Sequence, residues 1–328
     1  MKTSRVFSVL SAVALNLAIA GAAAAAPHGI FWAKGKAPAR SHAGGNLQYF
    51  GGPVIQNAKV TAVFWGDTVD KETQKNIGPF FTNMLDSTYM DWLSEYDTNL
   101  TAVDGRQGTA QHIGRGSFAG KVTIRPTTAA KALTDAMVQQ ELESQVAAGK
   151  LPKPDGDSLY MIYFPAGVSI TIEGQRSCSA FCAYHEGFKS ARLGSSVFYG
   201  VMPSCAASCA FGNTPFDSMS IVSSHEAIEA VTDPFPTPGS SPAYPQAWND
   251  PGGEEIGDLC AEGSSTVTGR DLVSKVQWEW DNATTACAKG PWKQSASALA
   301  RAAWTAPDLP HPLLDAVRKR PESFFEGR

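Results

Sequence analysis

The first 177 residues contain no cysteine, only 18% of the 328 residues are charged, and the chain has no basic excess, with 27 Lys and Arg against 31 Asp and Glu for a net charge of −4. A phosphate backbone is bound by neutralising it with Lys and Arg, so this charge balance argues against a nucleic-acid partner. After the leader no stretch approaches the roughly 20 uninterrupted apolar residues that a membrane span needs. Internal repeats are also lacking. A hydrophobic content of 43% instead supports a substantial packed core.

What the sequence does contain begins with a leader. Lys2 and Arg5 precede an apolar stretch over residues 6–20, and Ala22 to Ala26 supply small residues before Pro27. This is the pattern of a signal peptide over residues 1–26, and the expected location is extracellular or periplasmic. Residues 27–45 carry Ala, Gly, Pro and basic residues without a hydrophobic period and read as a linker or short propeptide. One domain is expected over residues 46–289, with a tail over 290–328.

Six cysteines, Cys178, Cys182, Cys205, Cys209, Cys260 and Cys287, fit disulfides in an oxidising compartment. The two C-x3-C pairs depart from the spacings most used by structural zinc. The expected pairing is Cys178 with Cys182, Cys205 with Cys209, and Cys260 with Cys287.

Strands are expected over residues 59–66, 120–125, 157–165, 168–173 and 195–202, with a strand pair near 272–280. Helices are expected over residues 70–96, broken near Pro79 and Asp86, over 128–150, and over the segment ending at Pro234, with Asp217 or Ser218 as its N-cap. This order describes an α+β fold compatible with a zincin-like scaffold, a mixed sheet with an active-site-type helix.

The chemistry concentrates in Ser223-Ser224-His225-Glu226-Ala227-Ile228-Glu229-Ala230-Val231-Thr232-Asp233-Pro234. On a helix, His225 and Glu229 at i and i+4 share a face and can converge on one cation, with Glu226 beside them as a general base. The zinc-protease helix reads H-E-x-x-H; here Glu229 stands in place of the second histidine. A third ligand is expected from the acidic turn containing Glu254, Glu255 and Asp258, with Glu255 first and Asp258 either a ligand or an acceptor orienting His225. Zinc is the expected metal. His185, after the Cys178-to-Cys182 loop, is a second candidate, as a metal ligand or an oxyanion stabiliser. Tyr244, Trp248, Trp278 and Trp280 are candidates for lining a glycan or peptide cleft, and equally for core packing.

Several of these segments together resemble the EXORDIUM / phosphate-induced protein family: Gly51-Gly52-Pro53-Val54 with residues 60–66, residues 178–185, residues 223–234, and Ala247-Trp248 with Glu255-Ile256-Gly257-Asp258-Leu259-Cys260. The family's His-Glu-x-x-Glu pattern falls on His225, Glu226 and Glu229, and its Glu-Ile-x-Asp pattern on Glu255 and Asp258. Asp233 stands where the plant proteins usually have Asn. The resemblance implies an extracellular, cell-wall-associated protein, linked in plants to growth and cell expansion, and carries no established reaction.

The expected function is a secreted metal-dependent hydrolase acting on a peptide or cell-wall glycan. Two alternatives are a non-catalytic extracellular binding protein of the EXORDIUM type and a metal-free glycoside hydrolase using two of Glu226, Glu254, Glu255 and Asp258.

Overall fold

The computed structural model describes residues 29–36, 45–205, 207–236, 241–261 and 263–293. The expected signal peptide and most of the expected tail lie outside them.

A six-stranded mixed sheet organises the chain, in the order Ile30–Trp32, Phe181–Ser190, Ser195–Met202, Ser158–Tyr163, Lys59–Trp65 and Ser117–Ile124. Lys59–Trp65 and Ser158–Tyr163 are the most buried, and each is paired in parallel on both sides. Such strands must be apolar on both faces, which is why they read as continuous β-branched and aromatic runs. Phe181–Ser190 runs antiparallel to both of its neighbours.

Helices cover both faces. α1 (Lys71–Leu85) places Ile77, Phe80, Phe81 and Met84 in the same core as Val60, Ala62 and Phe64. After the short α2 (Thr88–Asp91), α3 (Asp135–Ala147) packs Val138, Leu142 and Val146 into a second core with Val63, Tyr160 and Ile162. α4 (Pro215–Thr232) carries the motif and joins the first core through Val222, Ala227, Ile228 and Val231. The fold is therefore mixed α+β.

Three local expectations need correction. α1 runs unbroken through Pro79. Pro79 and Lys75 are both exposed, so the carbonyl that loses its amide partner faces water while the buried stripe holds the helix together. α3 starts at Asp135 behind the N-cap Thr134, and the preceding Ala132–Thr134 is a strand. α4 starts earlier than expected: Thr214 is its N-cap, accepting the Asp217 amide at 3.0 Å while Asp217 accepts the Thr214 amide at 3.2 Å, with Pro215 at the first turn.

Two of the three expected disulfides are also wrong. The bridges are Cys178–Cys205, Cys182–Cys209 and Cys260–Cys287. The C-x3-C pairs join to each other, first to first and second to second, and so tie the start of the Phe181–Ser190 strand to the segment leading into α4. A bridge across a 27-residue separation removes about 3.5 kcal/mol of unfolded-chain entropy, against about 2 kcal/mol for a five-residue loop.

Ile30–Trp32, inside the stretch read as a linker or propeptide, forms an edge strand with Ile30 and Phe31 buried. Three residues are too few for a hydrophobic period to register. At the other end, Trp292–Lys293 pairs in parallel with Ser264–Thr268.

Candidate metal centre

From Ser220 to Thr232 every residue of α4 is buried. A helix enclosed on all sides must find partners for its polar groups inside the protein. Some are found locally: Ser224 Oγ accepts the Gln277 amide at 2.8 Å and Tyr163 Oη lies 3.0 Å from Ser223 Oγ. His225, Glu226 and Glu229, all fully buried, meet instead at one point with two other parts of the chain.

The first is the antiparallel strand. His185, fully buried, places Nδ1 3.3 Å from Glu226 Oε2 and 3.7 Å from Glu229 Oε2. Its Nε2 lies 3.0 Å from the Asp233 carbonyl. A carbonyl only accepts, so Nε2 carries the proton and Nδ1 presents a lone pair to two carboxylates. Asp233 is itself anchored, its carboxylate accepting the Ala247 amide at 2.9 Å and the Asn249 side-chain amide at 2.6 Å.

The second is the acidic turn, pinned by the Cys260–Cys287 bridge. The Asp258 amide donates to Glu229 Oε1 at 3.1 Å, and His225 Nε2 lies 3.0 Å from Glu229 Oε2. Ligand atoms of His225, Glu229 and Asp258 all lie within 4.8 Å of one another, as do those of His185, Glu226 and Glu229. Glu255 reaches the cluster from the His185 side and not the His225 side: Oε1 is 3.5 Å from His185 Nε2 and Oε2 accepts the Gly29 amide at 2.6 Å. Glu254 turns its backbone amide to Asp250 Oδ1 at 2.8 Å. The turn can approach this closely because residue 257 is glycine. A Cβ there would land on His225 Nδ1 and lie 2.9 Å from Glu229 Oε1.

The electrostatics follow from burial without counter-charge. Among the described residues no Lys or Arg is buried. Burial pushes the Glu226 and Glu255 carboxyls well above the carboxylate range, with Glu229 adding repulsion to both. Burial holds His185 down to about 3 and His225 down to about 4, Asp258 opposing the latter. Both imidazoles are therefore neutral at pH 7.

The donor set fits a divalent cation. His225 Nδ1, Glu226 Oε1 and Glu255 Oε1 are buried without a hydrogen-bond partner, and native proteins leave few such atoms unsatisfied. Two neutral imidazoles and several carboxylates facing one another with lone pairs need a cation or extra protons between them. Imidazole nitrogen and carboxylate oxygen together suit zinc and its neighbours.

The aromatic candidates do not gather into one cleft. Trp248 packs between Tyr49 and Tyr96, Tyr244 lies exposed under the Arg106 guanidinium at 3.7 Å, and Trp278 meets Lys289 at 4.4 Å.

Three contributors escaped the sequence reading. Asp233 was legible only as the residue before Pro234 and as a departure from the Asn usual in the plant proteins, although its carbonyl fixes His185. Glu279, fully buried, accepts the Tyr89 hydroxyl at 2.8 Å and is pushed well above its usual range, by burial first and then by Glu229 and Asp258; nothing in its Trp-Glu-Trp context signals this. Phe31 packs its ring edge-on against His225 with centroids 4.5 Å apart.

No family model, no curated protein and no solved structure matches the chain.

Proposed function

We propose that this protein is an exported metal-dependent hydrolase with a preference for peptides, using a divalent cation, zinc first, at the α4 cluster. The observation that carries the reading is the fully buried His225 imidazole, its Nε2 3.0 Å from Glu229 Oε2 and its ligand atom within 4.8 Å of those of Glu229 and Asp258, with no buried Lys or Arg among the described residues to balance the carboxylates. His225, Glu229 and Asp258 would hold the ion, with His185 alongside. Such an ion supplies a Lewis acid for a carbonyl oxygen and makes water more acidic. A carboxylate in place of a histidine ligand adds negative charge and weakens both effects.

The other steps belong to the chain. Glu226, ionised beside the bound cation, takes a proton from the attacking water and passes it to the leaving group as the scissile bond breaks. Asp233 keeps the His185 Nε2 proton in place through its carbonyl, so Nδ1 stays directed at Glu226. The antiparallel strand lying against a His-Glu helix supports a zincin-like scaffold. The EXORDIUM motifs supply His225, Glu226, Glu229 and Asp258 to this same cluster, which supports membership in that family. Export is supported by the leader and by three disulfides, which oxidising compartments preserve; no helix among the described residues is long and apolar enough to cross a membrane.

The test is cleavage of a peptide library by zinc-loaded protein, read by mass spectrometry. Cleavage that stops on chelation and returns with zinc is the expected result. Fully loaded protein that cleaves no peptide and instead retains glycans would favour the non-catalytic matrix protein.

A further inference from the structure

His185, His225, Glu226, Glu229 and Glu255 have no solvent exposure at all, so a substrate from outside needs a way in. Much of the cover over them is one short segment, residues 29–32. The Gly29 amide donates to Glu255 Oε2 at 2.6 Å and the Gly29 carbonyl accepts the His185 amide at 2.9 Å. The Phe31 backbone hydrogen-bonds Glu226. The Phe31 ring sits edge-on against both His225 and Phe211, at 4.5 and 4.7 Å between centroids. Ile30 and Phe31 pair antiparallel with Tyr184 and Ala183, on the strand that carries His185.

An edge strand of three residues, paired on one side only, is among the more easily opened parts of a sheet. The backbone groups it would leave behind lie beside the catalytic carboxylate. We infer that residues 29–32 occupy a substrate groove: when they lift, the edge of the Phe181–Ser190 strand takes an extended peptide in the same antiparallel register. A large apolar side chain of that peptide enters the space now filled by Phe31. Main-chain hydrogen bonds to the strand supply affinity, and the Phe31 space, walled by Phe211 and the His225 ring, supplies specificity. The groove itself does not depend on the hydrolase reading; only the fate of the bound peptide does.

The test uses the full chain without metal and the rate at which diethyl pyrocarbonate modifies His225, read by mass spectrometry, with exposed His112 as the internal reference. Two substitutions loosen the segment by different means. Gly29→Ala puts a Cβ 2.8 Å from the His185 carbonyl oxygen and 2.9 Å from Pro236 Cγ, at a φ of +65° that disfavours alanine. Phe31→Ala removes the ring, and Phe31→Leu retains an apolar plug. The expected result is at least a tenfold faster modification of His225 in Gly29→Ala and Phe31→Ala, with Phe31→Leu close to wild type. A synthetic peptide of residues 29–34, added at millimolar concentration, slows the reaction again, and the same peptide with alanine for its phenylalanine does not. Unchanged rates in both loosened variants, or faster rates that the peptide fails to reverse, overturn the inference. So does loss of a cooperative melt in both, because residues 29–32 would then hold the fold together. Protection by the peptide without cleavage after zinc loading leaves the groove standing and removes the hydrolase; cleavage of other peptides without protection does the reverse.

Discussion

Glu226→Gln is expected to leave the protein folded and metal-loaded while lowering peptide hydrolysis by about 10²- to 10⁴-fold, the range that a positioned general base contributes. The substitution is nearly isosteric, so the packing around α4 is kept. It also leaves His225, Glu229 and Asp258, the group expected to hold the ion, untouched. What it removes is the proton-accepting oxygen. Glu226 Oε2 faces His185 Nδ1 at 3.3 Å, and Oε1 has no hydrogen-bond partner. Metal content, melting temperature and initial rates measured on one preparation separate the effects. A variant with unchanged turnover would move the base to another residue, and one that loses metal and activity together would make Glu226 a ligand.

The metal-free protein is expected to become less stable as pH rises from 6.5 to 8.5, and bound zinc is expected to cancel or reverse that trend. Glu226, Glu255 and Glu279 are pushed well above the carboxylate range by burial, and burial brings Asp233 to about 7. A carboxyl with a raised folded pKa keeps its proton in the native state where the unfolded chain has released it. Its contribution to stability therefore falls with pH from the unfolded value near 4 up to the folded value. The two buried histidines work in the opposite direction, because their pKa values are lowered to about 3 and about 4. Their contribution rises with pH from there through 6.5, the pKa of the unfolded imidazole, and is complete about one unit above it. Beyond that only the carboxyl contribution changes with pH. One retained proton amounts to about 1.4 kcal/mol per pH unit. A cation held beside them supplies the missing counter-charge and favours their ionised forms, so its stabilisation grows with pH. Denaturant melts of chelated and zinc-loaded protein at pH 6.5, 7.5 and 8.5 give both slopes.

The fold was most legible where a strand is buried on both faces. Ser195–Met202 coincides with the expected residues 195–202, because Val, Phe and Tyr in an unbroken run have few other places to go. Boundaries failed where local competition decided them. Thr214 outcompeted Asp217 for the N-cap because the two side chains satisfy each other's amides, a reciprocal arrangement that a search for one capping residue overlooks. The cysteine pairing failed because both C-x3-C spacings look local, whereas the strand beginning at Phe181 and the turn before α4 lie side by side.

At the site, the helical half was readable because i and i+4 fix a shared face without any tertiary information. The meeting of His185 with Glu226 was not, since it is made across the packing of a strand on a helix; the neighbours of His185 within the sheet are Gly200 on one side and Gly29 on the other, and neither indicates Glu226. The choice between Glu255 and Asp258 also needed coordinates. Three residues apart on an irregular turn, they diverge, Asp258 toward His225 and Glu255 toward Gly29. The cover formed by Phe31 was invisible for a simpler reason: two adjacent aromatic residues, Phe31 and Trp32, in a Gly-, Ala- and Pro-rich stretch carry no period.

Metal content tests the central claim most directly. Full-length protein purified without chelator, dialysed against zinc and then against metal-free buffer, is expected to retain about one equivalent of zinc by inductively coupled plasma mass spectrometry, and His225→Ala less than a tenth of that at equal folded fraction. Folded wild-type protein that retains no zinc, or a His225→Ala variant that retains as much as wild type, would contradict it.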